Sequence, residues 1–231
     1  MGIVTAINST ARNTNKPSYT CRKANNWSTT MNTAQAMYAL SINQTADLIE
    51  VIGPTNSTLV QGNMGTGKTS LLYILAARLP THTPVYVDGT TLIDSADMFM
   101  VKYSDDGKTF HTVPLEDLGL HMPDRPVILL FDELGKMTRS AQLATLRIQL
   151  ERRHGKMTLH PDSIVLSTTN LGSEGVGDLL PAHARNRLTV VTMRKPDNME
   201  WIEWGIDNDI DPALLGFCKE KPELFHSFEQ Y

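Results

Sequence analysis

The sequence predicts a three-layer α/β/α protein built on a five-stranded, mostly parallel sheet. Strand-like apolar segments alternate along the chain with helical segments, which is the order that βαβ units produce. Two of the strand-like segments, at 127–134 and 163–170, are almost continuously apolar, as expected of strands that helices cover on both faces. The chain has 231 residues, 41% of them hydrophobic, which is enough to form one large core.

The predicted elements follow a polar leader. Residues 1–30 are rich in Asn, Thr and Ser and predict a flexible segment, and residues 31–194 are expected to form the α/β core. Short helices are predicted at 33–41 and 45–53 and a longer one at 71–79. Between the third and fourth strands, Leu143, Leu146 and Leu150 share one face of another predicted helix, with Arg147, Arg152 and Arg153 directed elsewhere. The five strands are predicted at 58–62, 84–88, 127–134, 163–170 and 188–193.

One segment departs from this alternation of strand and helix. Apolar residues at every second position, among them Tyr103 and Phe110, flank Asp106-Gly107, a strong signal for a two-residue hairpin turn. We therefore expect a β-hairpin at about 98–113, inserted before the third strand of the sheet. Residues 195–231 predict about two further helices.

Composition narrows the functional classes. The net charge of −4 gives no overall basic signature for nonspecific nucleic-acid binding, although it permits a local basic patch. The sequence has no run of 18 apolar residues and no signal-peptide pattern, which predicts a cytoplasmic protein that is not in a membrane. Cys21 and Cys218 are too few and too far apart for a disulfide framework or a cysteine-based zinc site.

The segment GNMGTGKT fits the phosphate-loop pattern Gly62-x-x-x-x-Gly67-Lys68-Thr69. Glycines allow backbone N–H groups to approach phosphate oxygens, and the positive end of the following helix points at them. Lys68 would reach the β and γ phosphates, and the Thr69 hydroxyl would bind Mg²⁺. A chance match in a turn is the alternative, but the loop lies between a strand-like segment and an amphipathic helix, the context that supports the motif. The predicted nucleotide contacts are Gly62, Asn63, Met64, Gly65, Thr66, Gly67, Lys68, Thr69 and Ser70.

Polar residues end two of the buried strands. Taken alone, an acidic pair at a strand end is more often simply solvated. Because this pair follows a phosphate loop, Asp132 is predicted to hold Mg²⁺ through water, at the site that Thr69 shares, and Glu133 to polarise the attacking water. Asn170 ends the next strand, where ligands of parallel sheets bind, and is the candidate that orients this water. For Asn170 the alternative of a simple turn residue stays open.

Two arginines, Arg185 and Arg187, precede the fifth strand. An exposed arginine there can simply be solvated. At a subunit edge, however, an arginine can reach the γ phosphate held by a neighbouring subunit and stabilise the charge of the transition state.

The segments GNMGTGKT, LLFDEL, LSTTN and LPAHARNRL occur in this order and resemble the Walker A, Walker B, sensor 1 and arginine-finger elements of AAA+ ATPases. The hairpin and the segment that follows LLFDEL look most like the MoxR and CobS-like, dynein-related branch, which includes phage-encoded members. The resemblance spans about residues 31–225. It implies ATP or ADP and Mg²⁺ as ligands and a homo-oligomeric, hexameric ring, and it favours Arg187 over Arg185 as a finger acting in trans.

The resemblance also implies a helical lid at the C-terminus. Residues 195–231 are expected to form only its beginning, and no residue is nominated as the sensor 2 arginine of such lids.

Three functions follow from these features. The favoured one is a ring-forming ATPase that remodels a protein client, of the kind that works with a von Willebrand A-type partner. The first alternative is a nucleic-acid-handling ATPase such as a helicase loader, for which Lys102 and Lys108 on the hairpin leave room. The second is an assembly module in which ATP is a structural ligand.

Overall fold

The fold was determined as a computed structural model that describes residues 39–171 and 186–225. The predicted leader at 1–30 lies outside these residues. Six helices are labelled here: α1 (Ile42–Ile52), α2 (Ser70–Arg78), α3 (Arg139–Glu151), α4 (Asn198–Asp207), α5 (Pro212–Glu220) and α6 (Pro222–Phe225). The strands are β1 (Thr58–Gly62), β2 (Thr83–Asp88), β3 (Phe99–Tyr103), β4 (Phe110–Pro114), β5 (Val127–Asp132), β6 (Arg153–His154), β7 (Met157–Thr158), β8 (Ile164–Asn170) and β9 (Thr189–Thr192).

Five strands form one sheet in the order β2-β5-β8-β1-β9, and every neighbouring pair is parallel. The predicted α/β class and the five predicted strands are confirmed, with ends that shift by one or two residues. β1 lies inside the sheet because it pairs with β8 on one side and with β9 on the other, and both of these strands come much later in the chain. The carboxyl ends of β1, β5 and β8 therefore meet at one edge, where parallel sheets bind their ligands.

Helices cover both faces of the sheet, which explains the continuous apolar character of β5 and β8. Alternate residues of β5 enter different cores: Leu129 and Phe131 pack on the α3 side, whereas Ile128 and Leu130 pack against α1 and α2. All six residues of β5 are buried. Burial on both faces fixes the register of this strand, because a shift by one residue would exchange the two sets of side chains.

The helix prediction at 33–41 is wrong in its described part. Residues 39–41 are not helical; Leu40 instead forms a parallel bridge with Met193, and Ser41 caps the N-terminus of α1. The Ser41 side chain accepts from the Gln44 N–H, while the Gln44 side chain accepts from the Ser41 N–H. This capping box fixes the residue at which α1 begins. The extended segment before the helix therefore stops at Ser41.

The predicted faces of α3 also need correction. Leu143 is 47% exposed, whereas Ala141, Gln142, Thr145, Leu146, Ile148 and Gln149 form the buried face. Arg152 ends the helix with a left-handed backbone and donates to the carbonyl oxygens of Ser163 and Gly53. Gln142 is held by the carbonyl oxygens of Leu134 and Met137. Buried Gln142, Thr145 and Gln149 thus take the place of a purely apolar stripe on this helix, and hydropathy does not predict that.

The inserted hairpin exists as β3 and β4, with Tyr103 opposite Phe110. Residues 104–109 connect the strands, so the two-residue turn is wrong in length, although Gly107 does adopt a positive φ of 63°. The Ser104 hydroxyl donates to Asp106 and accepts from the Thr109 N–H, which stabilises the longer loop. The hairpin packs on His154 of the small β6–β7 ribbon through Phe99 and Thr112.

The C-terminal helices follow β9 directly. Asp197 caps α4 and forms a capping box with Glu200. Arg194 binds the same glutamate through two hydrogen bonds of 2.6 and 2.7 Å, and this contact ties the end of the sheet to the helix. Within the residues that the structure describes, no helix has the length and apolar character needed to cross a membrane.

Candidate active site

The loop between β1 and α2 has the backbone shape that its glycines predict. Gly65 and Gly67 have φ angles of +73° and +84°, which side chains disfavour, and a Cβ on Gly62 would lie 2.7 Å from the Met193 carbonyl oxygen. A Cβ on Gly65 would meet nothing within 4 Å, so the loop is open at this point. The loop leads into α2, and the N-terminal end of a helix carries a partial positive charge. This geometry fits the binding of phosphate oxygens.

Lys68 lies beneath the loop and is almost fully buried. Its Nζ donates to the carbonyl oxygens of Gly62 and Asn63, at 2.9 and 2.8 Å. Burial lowers the pKa of the Lys68 ammonium, while the carboxylates of Asp132 and Glu133 act in the opposite direction. An anionic ligand would offset the burial that disfavours this charge.

The Asp132 carboxylate is the centre of a hydrogen-bond network at the end of β5. Its Oδ2 accepts from the Thr69 hydroxyl at 2.7 Å and, at 3.3 Å, from the Tyr86 hydroxyl. Its Oδ1 accepts from the Thr168 hydroxyl and, at 3.2 Å, from the Glu133 N–H. The phosphate loop and three strands of the sheet thus converge on one carboxylate.

Glu133 follows in a left-handed conformation, with φ 52° and ψ 45°. For a residue other than glycine this costs of order 1–3 kcal/mol and is typical of functional positions. The Thr168 hydroxyl accepts from the Glu133 N–H at 3.1 Å and so helps to hold the turn. The side chain forms an ion pair with Lys136, with Oε2 2.8 Å from Nζ. Because of this turn, the Glu133 side chain points in a different direction from the Asp132 side chain.

Asn170 ends β8 level with Gly62 of β1, and the Leu171 N–H donates to the Gly62 carbonyl oxygen at 3.1 Å. The structure therefore brings Asn170 to the same edge as the phosphate loop and Asp132.

Two residues at this edge of the sheet were not predicted as site residues from the sequence. Thr168 could have been found from its position two residues before Asn170, on the same face of a strand. Tyr86 gave no signal beyond its place in a strand.

Arg187 is exposed and precedes β9 at the other end of the sheet. Thr189 pairs with Thr58, at the start of β1, and four residues of strand span about 13 Å before Gly62 is reached. Arg187 is therefore remote from the phosphate loop of its own chain. Arg185, the second arginine candidate, lies outside the described residues.

The oxygen atoms at this edge fit a magnesium ion. The Thr69 hydroxyl and the Asp132 carboxylate lie 2.7 Å apart, and Mg²⁺ in nucleotide sites is held by one or two such groups together with phosphate oxygens and water. Elsewhere in the chain, over the part that the structure describes, no group of three or more His, Cys, Asp or Glu side chains forms a metal site.

A comparison with protein families identifies the class. Residues 58–195 match the model of the ATPase family associated with various cellular activities, abbreviated AAA. The match runs from the start of β1 past the end of β9 and covers more than half of the chain. The chain therefore belongs to the AAA family of ATPases. No protein among those with curated functions matches the sequence.

Two solved structures have a distant resemblance to the chain. An inferred ATPase from Cytophaga hutchinsonii shares 16% identity at a TM-score of 0.49, over 75% of this chain and 52% of its own. The RuvB Holliday junction branch migration motor of Thermotoga maritima shares 18% identity at a TM-score of 0.45, over 70% of this chain and 47% of its own. The chain spans about half the length of these two proteins.

Proposed function

We propose that this chain is a magnesium-dependent ATPase that works as a ring, each site being completed by an arginine from the neighbouring subunit, and that it remodels a protein partner. The observation that carries the proposal is the convergence of Lys68, Thr69, Asp132, Glu133 and Asn170 at one edge of the sheet. The remote position of Arg187 supports a role in trans.

The phosphate loop accounts for nucleotide binding. In the proposed complex the Lys68 ammonium turns from the carbonyl oxygens of Gly62 and Asn63 to the β and γ phosphates, which compensate its charge more fully. The loop N–H groups and the first turn of α2 bind the remaining phosphate oxygens. Thr69 and Asp132 hold Mg²⁺, which when bound neutralises charge on the phosphates.

The chain's own residues then prepare the attacking water. Glu133 accepts a proton from this water or polarises it, and Asn170 orients it from the neighbouring strand. To do so, the Glu133 carboxylate must exchange its ion pair with Lys136 for a contact with the water. Asp132 remains fixed, because four donors already hold its two oxygens.

Arg187 supplies the remaining positive charge in this scheme. It precedes the edge strand β9, about 13 Å or more from the loop of its own chain along β1, and its side chain is exposed. An exposed arginine beside the outermost strand of the sheet is available to a neighbouring copy of the chain. A closed ring, with six subunits by resemblance to AAA+ proteins, would give every nucleotide such an arginine; Arg185 is the second candidate for this role.

The β3–β4 hairpin is the proposed contact with the client. Tyr103 and Phe110 at its tip are 68% and 66% exposed and pack edge to face, with ring centroids 6.2 Å apart. Exposed aromatic groups favour a protein client, and the mildly acidic charge of the chain does not favour nucleic acid.

We further propose that the chain belongs to the MoxR or CobS-like branch. In this proposal it acts on a von Willebrand A-type partner in the cytoplasm, and its origin is a phage.

The test uses the full chain with Glu133→Gln, a change that removes the proton acceptor but keeps the shape of the side chain. The variant should bind ATP as the wild type does, while turnover falls by about 10²- to 10⁴-fold. Expressed in the native host and purified with ATP, it should retain its client, which mass spectrometry then identifies.

Lys68→Ala is the matched control for this experiment, because its affinity for ATP should be lower by about 100-fold or more. A protein that purifies with Glu133→Gln but not with Lys68→Ala supports ATP-dependent remodelling. Material lost on nuclease treatment would instead support the nucleic-acid-handling alternative. Unchanged turnover in Glu133→Gln would remove Glu133 from the catalytic role.

A further inference from the structure

Tyr86 lies next to the proposed metal site, yet it belongs to none of the motifs that define the site. It is on β2, the edge strand beside β5. Val85 and Val87 point into the core on the α3 side, so Tyr86 faces the side on which α2 and the phosphate loop lie. The side chain is 45% exposed, and its hydroxyl reaches Asp132 across the boundary between the two strands.

The contact of Tyr86 is with one particular oxygen of Asp132. Oδ2 accepts from both Thr69 and Tyr86, the two groups on the loop side, whereas Oδ1 is held from within the protein by Thr168 and the Glu133 N–H. Oδ2 is therefore the oxygen that faces the proposed magnesium ion. Tyr86 is the donor to this oxygen that approaches from the solvent side.

The distance from the Tyr86 hydroxyl to Oδ2 is 3.3 Å, longer than the 2.5–3.0 Å usual for bonds between oxygen atoms. Such a bond contributes little to folding, and a phenylalanine could fill the same half-exposed position. A tyrosine hydroxyl can, however, donate one hydrogen bond and accept others at the same time. Magnesium in nucleotide sites keeps several water ligands, and these water ligands need partners beside the carboxylate.

We propose that Tyr86 is a positioning residue for the metal: its hydroxyl holds Asp132 Oδ2 in place and accepts a hydrogen bond from a water bound to Mg²⁺. This role rests on the proposed nucleotide site, to which it adds a group outside the motifs. Partners that hold the ligands of a metal in this way typically change its affinity by about 10- to 100-fold when they are removed.

The test is Tyr86→Phe, which removes the hydroxyl and keeps the ring. Binding of a fluorescent ADP analogue is measured with EDTA and then across a Mg²⁺ titration; binding of Mn²⁺ to the ADP complex, followed by electron paramagnetic resonance, gives the metal affinity directly. Without metal, ADP affinity should equal that of the wild type within about twofold, whereas affinity for Mg²⁺ and Mn²⁺ should fall about 10-fold or more.

Tyr73→Phe is the matched control. Tyr73 is on α2 and 67% exposed, so loss of its hydroxyl should change neither nucleotide nor metal affinity. Equal metal affinity in Tyr86→Phe and the wild type would overturn the role of Tyr86 and leave the nucleotide site intact. Loss of metal-free ADP binding in Tyr86→Phe would also overturn it, since Tyr86 would then support the loop. A wild type that binds no nucleotide would overturn the proposed function itself.

Discussion

The carboxyl edge of the sheet and the β3–β4 hairpin use their side chains in opposite ways. At the sheet edge, polar groups are buried and bound to one another: Lys68 is held by loop carbonyl oxygens, and Asp132 accepts four hydrogen bonds. On the hairpin, apolar side chains such as Met100, Tyr103 and Phe110 are exposed. Both arrangements are unusual, because polar and charged side chains are mostly exposed in proteins and large apolar side chains are mostly buried.

The difference separates two kinds of functional surface. A buried polar network is rigid, because each group that loses its partner pays a desolvation penalty of about 1–3 kcal/mol. Such a network suits the fixed geometry of phosphate chemistry. The hairpin is anchored mainly at its base, where Phe99 stacks on His154 with ring centroids 3.4 Å apart and the Thr112 hydroxyl lies 2.8 Å from His154 Nε2. Its tip is left available for a partner.

Lys68→Ala should have the largest effect, on the buried side of this comparison. The change removes a charge that would bind two phosphates and leaves the carbonyl oxygens of Gly62 and Asn63 without their donor. Two charge-assisted hydrogen bonds of about 1.5–3 kcal/mol each predict a loss of ATP affinity of about 100-fold or more. Isothermal titration calorimetry measures this loss. Lys102→Ala, on the exposed hairpin, is the control; if Lys68→Ala retained wild-type affinity, the phosphate-loop assignment would be wrong.

Arg187→Ala should act between subunits. ATP binding should be retained, whereas hydrolysis should fall by about 10³- to 10⁵-fold, as when an arginine finger is removed. Mixing Arg187→Ala with Lys68→Ala should restore part of the activity, because an intact site can then receive an intact arginine. Arg125→Ala is the control, since Arg125 is exposed just before β5 at the same end of the sheet. No recovery in the mixture would count against action in trans.

The fold was largely predictable from the sequence. β5 and β8 are apolar throughout because both of their faces are buried, and such segments predict central parallel strands directly. The helix prediction for residues 39–41 was wrong because Leu40 pairs with Met193, a partner about 150 positions away, although the local sequence has a helical pattern. The prediction for Leu143 failed because α3 buries Gln142 and Gln149 instead. Gln142 donates to two backbone carbonyl oxygens, and Gln149 Oε1 accepts from the Ser167 hydroxyl, and only the folded chain provides these partners.

The site was predictable to the extent that its residues lie in motifs. Lys68, Thr69 and Asp132 do converge, because a phosphate loop and the end of a neighbouring parallel strand must meet at one edge. Tyr86 could not be predicted, since its contact with Asp132 depends on which strand lies beside β5. The ion pair between Glu133 and Lys136 likewise depends on the left-handed backbone of Glu133. The sequence does not predict this conformation, because the residue is not a glycine.

The smallest effect on stability should come from the hairpin tip. Tyr103→Ser combined with Phe110→Ser removes two exposed rings, so the free energy of unfolding should fall by about 1 kcal/mol or less, most of it from the lost edge-to-face pair. ATP affinity should be unchanged. In the Glu133→Gln background, however, the double variant should no longer retain a protein client, because its proposed contact is gone. Tyr73→Ser, which alters a similarly exposed tyrosine on α2, should retain the client. Retention by the hairpin variant would move the client contact elsewhere, whereas a loss of several kcal/mol would mean that the rings belong to the folded core.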